Sequence, residues 1–167
     1  LLEGPVDRTS YRELIRGTYR SFKNVDQVHD YVDSLREKLQ GASEEQQRDL
    51  HERIGVLLYV LGEFANAREH LAEVKARKNA AHFLGRACKE LGRTDEAVEA
   101  LQGGREDEGD FETDMLLADV FCHQRNAEEA RKICESYKKS HGDEPDWLYA
   151  MGRVLETEGE YGEAMQH

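Results

Sequence analysis

Apolar residues in this chain recur every three or four positions, the spacing that gathers them on one face of a helix. Val28, Val32, Leu35 and Leu39 form one such stripe, and Leu58, Leu61 and Leu71 mark a second stretch. Within that stretch, "LYVLGEFANAREHL" (58–71), Gly62 interrupts a run of helix formers. A glycine inside a helix is worth about 1 kcal/mol less than alanine. The interruption nevertheless returns. The segment aligns without gaps on "CKELGRTDEAVEAL" (88–101), "FCHQRNAEEARKIC" (121–134) and "LETEGEYGEAMQH" (155–167), at offsets of 30, 33 and 34 residues. Gly62, Gly92 and Gly159 share one column, with Arg125 in the third copy. Five residues on stand Ala67, Ala97, Ala130 and Ala164, and seven residues before the glycine stand Gly55, Gly85, Ala118 and Gly152.

A period of this size indicates stacked helix–turn–helix units, so the pattern predicts an all-α solenoid of antiparallel helix pairs. The glycine column then lies between two helices, where a left-handed residue ends the first helix most cheaply as glycine. The two small-residue columns let neighbouring helices approach closely, with Leu61, Leu91, Leu71 and Leu101 filling the space between. Thr94 before Asp95 and Glu96, and Asn126 before Glu128 and Glu129, place a cap and acids at helix starts. Pro145 suits a first helical position. Upstream, "SYRE" (10–13) and "NVDQ" (24–27) have the form of capping boxes, as do Ser43 and Gln46. The expected organisation is a flexible N-terminus over 1–9, a helical pair over 10–42 that is either a cap or a degenerate repeat, and about four repeats over 43–167. The last repeat is truncated, so the natural protein is expected to continue and the end at Tyr161–His167 to pack on further repeats or a neighbouring copy.

Composition narrows the function classes. With 38% hydrophobic residues and a mean hydropathy of -0.81, the chain suits an elongated body. It contains no apolar run of the length a membrane span requires. Cys88, Cys122 and Cys134 form no CxxC pair and leave an odd count, which favours a reducing, cytoplasmic setting. Cys88 and Cys134 also fall on apolar repeat columns. A net charge of -12 disfavours direct binding to a phosphate backbone. None of the motifs GxSxG, GxxxxGK[ST], HExxH and GxGxxG occurs, and the seven histidines share no ligand spacing. No catalytic residue, metal or cofactor is expected. The biased stretch "GGREDEGDFETD" (103–114) supplies Asp107, Gly109, Asp110, Glu112 and Asp114 without a calcium-loop register. Its expected role is to close one repeat and open the next with Asp110 as cap, or to face a basic partner.

The order of small residue, glycine, aromatic, alanine and large apolar residue resembles the tetratricopeptide repeat. The fullest copy is "MGRVLETEGEYGEAM" (151–165), with Gly152, Gly159, Tyr161 and Ala164 in the family's places. Thr94 and Ala127 stand where the family has an aromatic residue, and the first spacing is short. The resemblance covers about residues 48 to 167. It implies a right-handed superhelix whose concave face, lined by the first helix of each pair, holds an extended peptide or a partner segment.

The family's inward positions fall here on Asp49, Glu52 and Tyr59; Asn79, His82, Arg86 and Lys89; Glu112, Met115, Asp119 and Cys122; and Tyr149, Arg153 and Glu156. The family's lysine and asparagine clamp for a C-terminal carboxylate would occupy Glu52/Val56, His82/Arg86, Met115/Asp119 and Tyr149/Arg153, so that clamp is absent. The candidate partner-binding residues are Tyr59, His82, Arg86, Lys89, Asp119, Tyr149 and Arg153. Arg86 and Lys89, one turn apart, could meet a carboxylate, and Tyr149 with Arg153 offers a ring beside a cation. The leading expectation is a non-catalytic scaffold that binds a protein or peptide. Its rivals are self-association through the truncated repeat, or a regulatory arm of a larger transcription-related protein. The last draws on a faint similarity to repeat regions that precede an RNA polymerase alpha C-terminal-like domain in some bacterial proteins.

Overall fold

Left-handed backbone appears where the repeat column puts it. Gly62, Gly92 and Gly159 have φ of 79°, 71° and 84°, and Arg125, the odd member of the column, adopts φ 59° as well. Each ends a helix. The computed structural model describes residues 2–104 and 110–159. Among them are nine helices and no strand: α1 (Tyr11–Thr18), α2 (Phe22–Leu39), α3 (Glu44–Val60), α4 (Phe64–Ala72), α5 (Lys78–Glu90), α6 (Thr94–Gly103), α7 (Phe111–His123), α8 (Ala127–His141) and α9 (Pro145–Glu158).

At each complete bend two backbone bonds close a Schellman motif. Gly62 N donates to Tyr59 O at 3.0 Å and Glu63 N to Leu58 O at 2.9 Å. Gly92 and Arg93 repeat this onto Lys89 and Cys88, and Arg125 and Asn126 onto Cys122 and Phe121. The carbonyls orphaned at a helix end are satisfied locally, so a sharp reversal needs no help from outside the bend.

Close approach is equally specific. A Cβ added to Gly55 would lie 2.5 Å from Leu71 Cγ, and one added to Gly85 would lie 2.4 Å from Leu101 Cγ. Each leucine of the second helix therefore seats directly on the glycine of the first. In the third copy the glycine becomes Ala118 and the leucine column holds the smaller Cys134, both fully buried. Ala67, Ala97 and Ala130 are also fully buried. Ala164 and Tyr161 lie outside the described residues, as do Asp107 and Gly109 of the acidic stretch.

The first helices form a continuous layer: α5 touches α3 and α7, and α7 touches α9, while α4, α6 and α8 pack between successive members. α1 and α2 lie against α3. The Ser43 capping box is present, with Gln46 N on Ser43 Oγ at 3.4 Å and Ser43 N on Gln46 Oε1 at 2.9 Å. Pro145 occupies the first turn of α9, and Asn126 caps α8.

Other predicted starts are corrected. Ser10 precedes α1 but its hydroxyl donates to Asp7 Oδ1 at 2.7 Å instead of capping. α2 opens at Phe22, which leaves Asn24 inside its first turn, where Nδ2 donates to Gly17 O at 2.6 Å. Thr94 is the first residue of α6, after Arg93. Asp110 does precede α7, yet its carboxylate is engaged elsewhere, as described below.

Residues 2–9 lie along the array. They do not splay away from the array. Burial alternates along them: Leu2, Gly4, Val6 and Arg8 are covered at least in part, while Glu3, Pro5, Asp7 and Thr9 are exposed. Turns and bends occupy most of the segment, with only Pro5 and Val6 outside them, yet alternate residues still face a surface. That surface is the layer of first helices.

Candidate concave site

Three successive first helices hold the N-terminal segment. On α3, Arg53 Nη1 donates to the carbonyls of Leu2 at 2.9 Å and Gly4 at 2.7 Å. On α5, Asn79 Nδ2 donates to Val6 O at 3.3 Å and to Glu52 Oε1 at 2.8 Å. At α7, the Arg8 guanidinium pairs with Asp110 and donates to Thr113 Oγ1 at 2.9 Å. Burial works to raise the Asp110 carboxyl, but the hydrogen bond and charge of Arg8, with Thr113, bring it below its ordinary value.

Thr113 is the centre of this cluster. Its hydroxyl donates to Asp110 Oδ2 at 3.0 Å and lies 2.9 Å from His82 Nδ1. With the hydroxyl proton given to Asp110, Nδ1 is the protonated nitrogen of a neutral imidazole. His82 is 1% exposed, and burial, then Arg86 and Arg8, drive its pKa down to about 3. His82 Nε2 is left as a buried acceptor without a partner.

Beside the segment an open cavity of about 230 Å³ lies between α1, α5, α7 and α9. Among its lining residues are Arg12, His82, Arg86, Glu112 and Tyr149. Lys89 and Asp119 also reach it. Tyr11 lines it and covers a buried aromatic cluster. Tyr11 lies 5.8 Å from Tyr59 and 5.5 Å from Phe83, and the Arg86 guanidinium carbon sits 4.8 Å from the Tyr11 ring centre. A guanidinium over a ring gains about 0.5–2 kcal/mol, more as water is excluded.

Of the predicted residues, His82, Arg86, Lys89, Asp119 and Tyr149 meet in this one cavity. Tyr59 does not line it. It is buried beneath Arg86 in the ring cluster, where burial raises its phenol pKa. Arg153 stands behind the wall, bound to Asp119 at 3.4 Å and Glu156 at 2.5 Å. Burial acts to lower the Arg153 pKa, and the charges of Asp119 and Glu156 overcome it.

The proposed cation pairs therefore need correction. Lys89 is tied to Asp119, and His123 Nε2 also lies 3.8 Å from that carboxylate. Asp119 is 3% exposed and joins α5, α7 and α9 as a buried hub. Lys89 and Arg153 are spoken for by structure. Arg12 and Arg86, by contrast, have no carboxylate within ion-pair distance among the described residues, and Tyr149 is 60% exposed. The sequence reading missed Arg8, Tyr11 and Arg12, which line the cavity, and Arg53, which holds the N-terminal segment. It had placed Asn79 on the inner face without a role.

Residues 90–154 match the sequence model of the tetratricopeptide repeat. The array has a tetratricopeptide-repeat fold. Solved structures agree over most of the chain. The near-identical TPR-like repeats of a putative kinesin light chain from Podosopora anserina, in a single-substitution variant, superimpose with a TM-score of 0.71, at 20% identity over 95% of this chain and 89% of that one. A second structure of those repeats gives a TM-score of 0.70 at 20% identity, over 98% and 92%. A tetratricopeptide repeat protein from Parabacteroides merdae ATCC 43184 gives a TM-score of 0.75 at 15% identity, covering 95% of this chain and 64% of that one. No curated protein sequence matches. The similarity to regions preceding an RNA polymerase alpha C-terminal-like domain has no counterpart among these matches. Helical repeats of this kind generally serve as protein-interaction scaffolds, and no described helix is long and apolar enough to cross a membrane.

Proposed function

We propose that this protein is a non-catalytic scaffold that binds an extended peptide of a protein partner in the concave cavity. One observation carries the reading: two guanidiniums without an ion-paired carboxylate among the described residues, Arg12 and Arg86, face an open cavity beside the exposed ring of Tyr149. Arginine and tyrosine anchors of this kind dominate recognition surfaces because they combine large contact area with directed hydrogen bonds. The chain as a whole carries a net charge of -12, and Glu112 and Asp146 also line the cavity, so the two guanidiniums are set apart by their lack of a direct ion pair. The chemistry fits an acidic segment whose carboxylates meet the guanidiniums bidentately while an apolar side chain lies against Tyr149 and Met115.

The test is fluorescence anisotropy with labelled nine-residue peptides that differ in charge and apolar content. Acidic peptides with one large apolar residue should bind best, and the charge reversal Arg12→Glu with Arg86→Glu should weaken them by about tenfold or more. Equal binding of acidic and basic peptides, or no effect of the reversal, refutes the reading. The self-association alternative rests on Tyr161–His167, which lie outside the described residues.

A further inference from the structure

The contacts to residues 2–8 have the form of ligand recognition. Arg53 and Asn79 use side-chain donors to hold three backbone carbonyls, of Leu2, Gly4 and Val6, and these bonds do not depend on which side chains the held segment carries. Selectivity comes from two places. Val6 is 9% exposed and supplies apolar contact. Two residues later Arg8 enters a pocket made by Asp110, Thr113 and the neutral His82. Thr113 is 4% exposed and His82 1%, with α5 and α7 supplying these two walls and Arg8 lying against Thr113.

Two buried acceptors of this strip have no partner, Asn79 Oδ1 and His82 Nε2. Buried polar atoms of this kind are rare, because an unmade hydrogen bond is costly. Asn79 already donates to the Val6 carbonyl, so its free Oδ1 is positioned beside the backbone of whatever lies there. The N-terminal segment thus satisfies the strip incompletely.

We propose that the strip formed by Arg53, Asn79, Thr113 and Asp110 recognises a partner segment with an apolar residue followed two positions later by arginine. Residues 4–8 occupy it in cis. This deepens the scaffold reading by naming a second recognition element on the same concave face, a single arginine where the cavity favours carboxylates. A tethered segment competes at an effective concentration that reaches the millimolar range for short connections, so a partner must displace it. The apparent affinity is lowered by the fraction of molecules in which the strip is empty.

The experiment uses the full chain and a labelled, N-acetylated peptide of residues 2–10 (LEGPVDRTS), with its arginine-to-alanine version as control. The substitution Arg8→Ala vacates the pocket, and the peptide should then bind about tenfold or more tighter than to the wild-type chain. The control peptide should lose that gain, as should the native peptide when Asp110→Asn is added to Arg8→Ala. Val6→Asp, which unseats the segment without touching the pocket, provides a second opening variant should Arg8→Ala fold poorly, and it should show the same gain. Equal affinity for the opened and wild-type chains, or for the two peptides, overturns the proposal. So does concentration-dependent dimerisation of the opened variants in place of peptide binding, which would make a second copy the occupant. Failure here is separable from failure of the cavity reading, because Asp110→Asn acts on the strip alone and the Arg12→Glu with Arg86→Glu reversal acts on the cavity, so each reading has its own responsive variant.

Discussion

Substituting Gly85 tests whether close helix approach, and not merely hydrophobic content, builds this array. A Cβ at Gly85 would lie 2.4 Å from Leu101 Cγ and 2.5 Å from Leu101 Cδ2, with both residues buried. Contacts that short require Leu101 to leave its rotamer or α6 to shift, and overpacking of this kind costs about 1–3 kcal/mol. Helix propensity acts the other way, favouring alanine by about 1 kcal/mol. Gly85→Ala should therefore lose up to about 2 kcal/mol net. The third repeat contains the remedy, since Ala118 and Cys134 replace the glycine and leucine in the equivalent columns. Leu101→Cys alone removes buried carbon and leaves a void, at about 2–3 kcal/mol. In Gly85→Ala with Leu101→Cys, the new methyl fills part of that void and the propensity gain is retained. The double variant should lie at least about 1 kcal/mol above the sum of the singles. Urea unfolding followed by far-UV circular dichroism, with the m-value held common, gives all four stabilities. Additivity within about 0.5 kcal/mol, or a Gly85→Ala variant more stable than wild type, would refute the packing argument.

Arg125→Gly should raise stability by about 0.5–1 kcal/mol in thermal or urea unfolding, because a left-handed L-residue is strained and the gain outweighs the entropy glycine adds to the unfolded chain. Asp119→Ala should cost about 2–3 kcal/mol, less than a fully buried pair because Lys89 and Arg153 retain some access to water; Asp119→Asn should fall between it and wild type. Stability should decrease as pH falls from about 6.5 toward 3, since the unfolded chain protonates His82 over a range in which the folded chain keeps it neutral. His82→Gln should flatten that part of the pH profile, by up to roughly 1.4 kcal/mol per pH unit. An unchanged profile would exclude His82 as its source.

The features legible in the sequence are those written locally or by repetition. Gly62, Gly92 and Gly159 announced the bends because one backbone geometry was demanded three times. Their alignment with Arg125 carried that geometry to a residue whose own preference opposes it. Ser43 and Gln46 formed their box because nothing competed for them. Ser10 and Asn24 carried the same signature, but Asp7 and the Gly17 carbonyl, both within reach, took their side chains. The inner-face register was also readable, and it brought five candidates into one cavity. The pairing within that cavity was not readable. Asp119 meets Lys89 thirty residues upstream and Arg153 thirty-four residues downstream, on different helices, so no local pattern records the contact. The N-terminal segment was invisible for a further reason: its carbonyls are what Arg53 and Asn79 hold, and a backbone group leaves no mark in residue types.

Charge on the concave face sorts into two kinds by burial. Where a carboxylate is buried, as at Asp119 and Asp110, cations are drawn in until it is compensated, and the result fixes helices or a segment in place. Where the cation lies over a ring instead, as Arg86 does over Tyr11, it keeps its hydrogen-bonding edge unengaged by any carboxylate among the described residues. His82 sits between the two sets, with Arg8 on one side and Arg86 on the other. A proton there would add a third positive charge in a buried site, so the imidazole stays neutral and can serve Thr113 as a donor. That neutrality allows an arginine pocket and an uncompensated guanidinium to be neighbours. On the two proposals together, one concave surface offers the Asp110 carboxylate to one segment and the Arg12 and Arg86 guanidiniums to another.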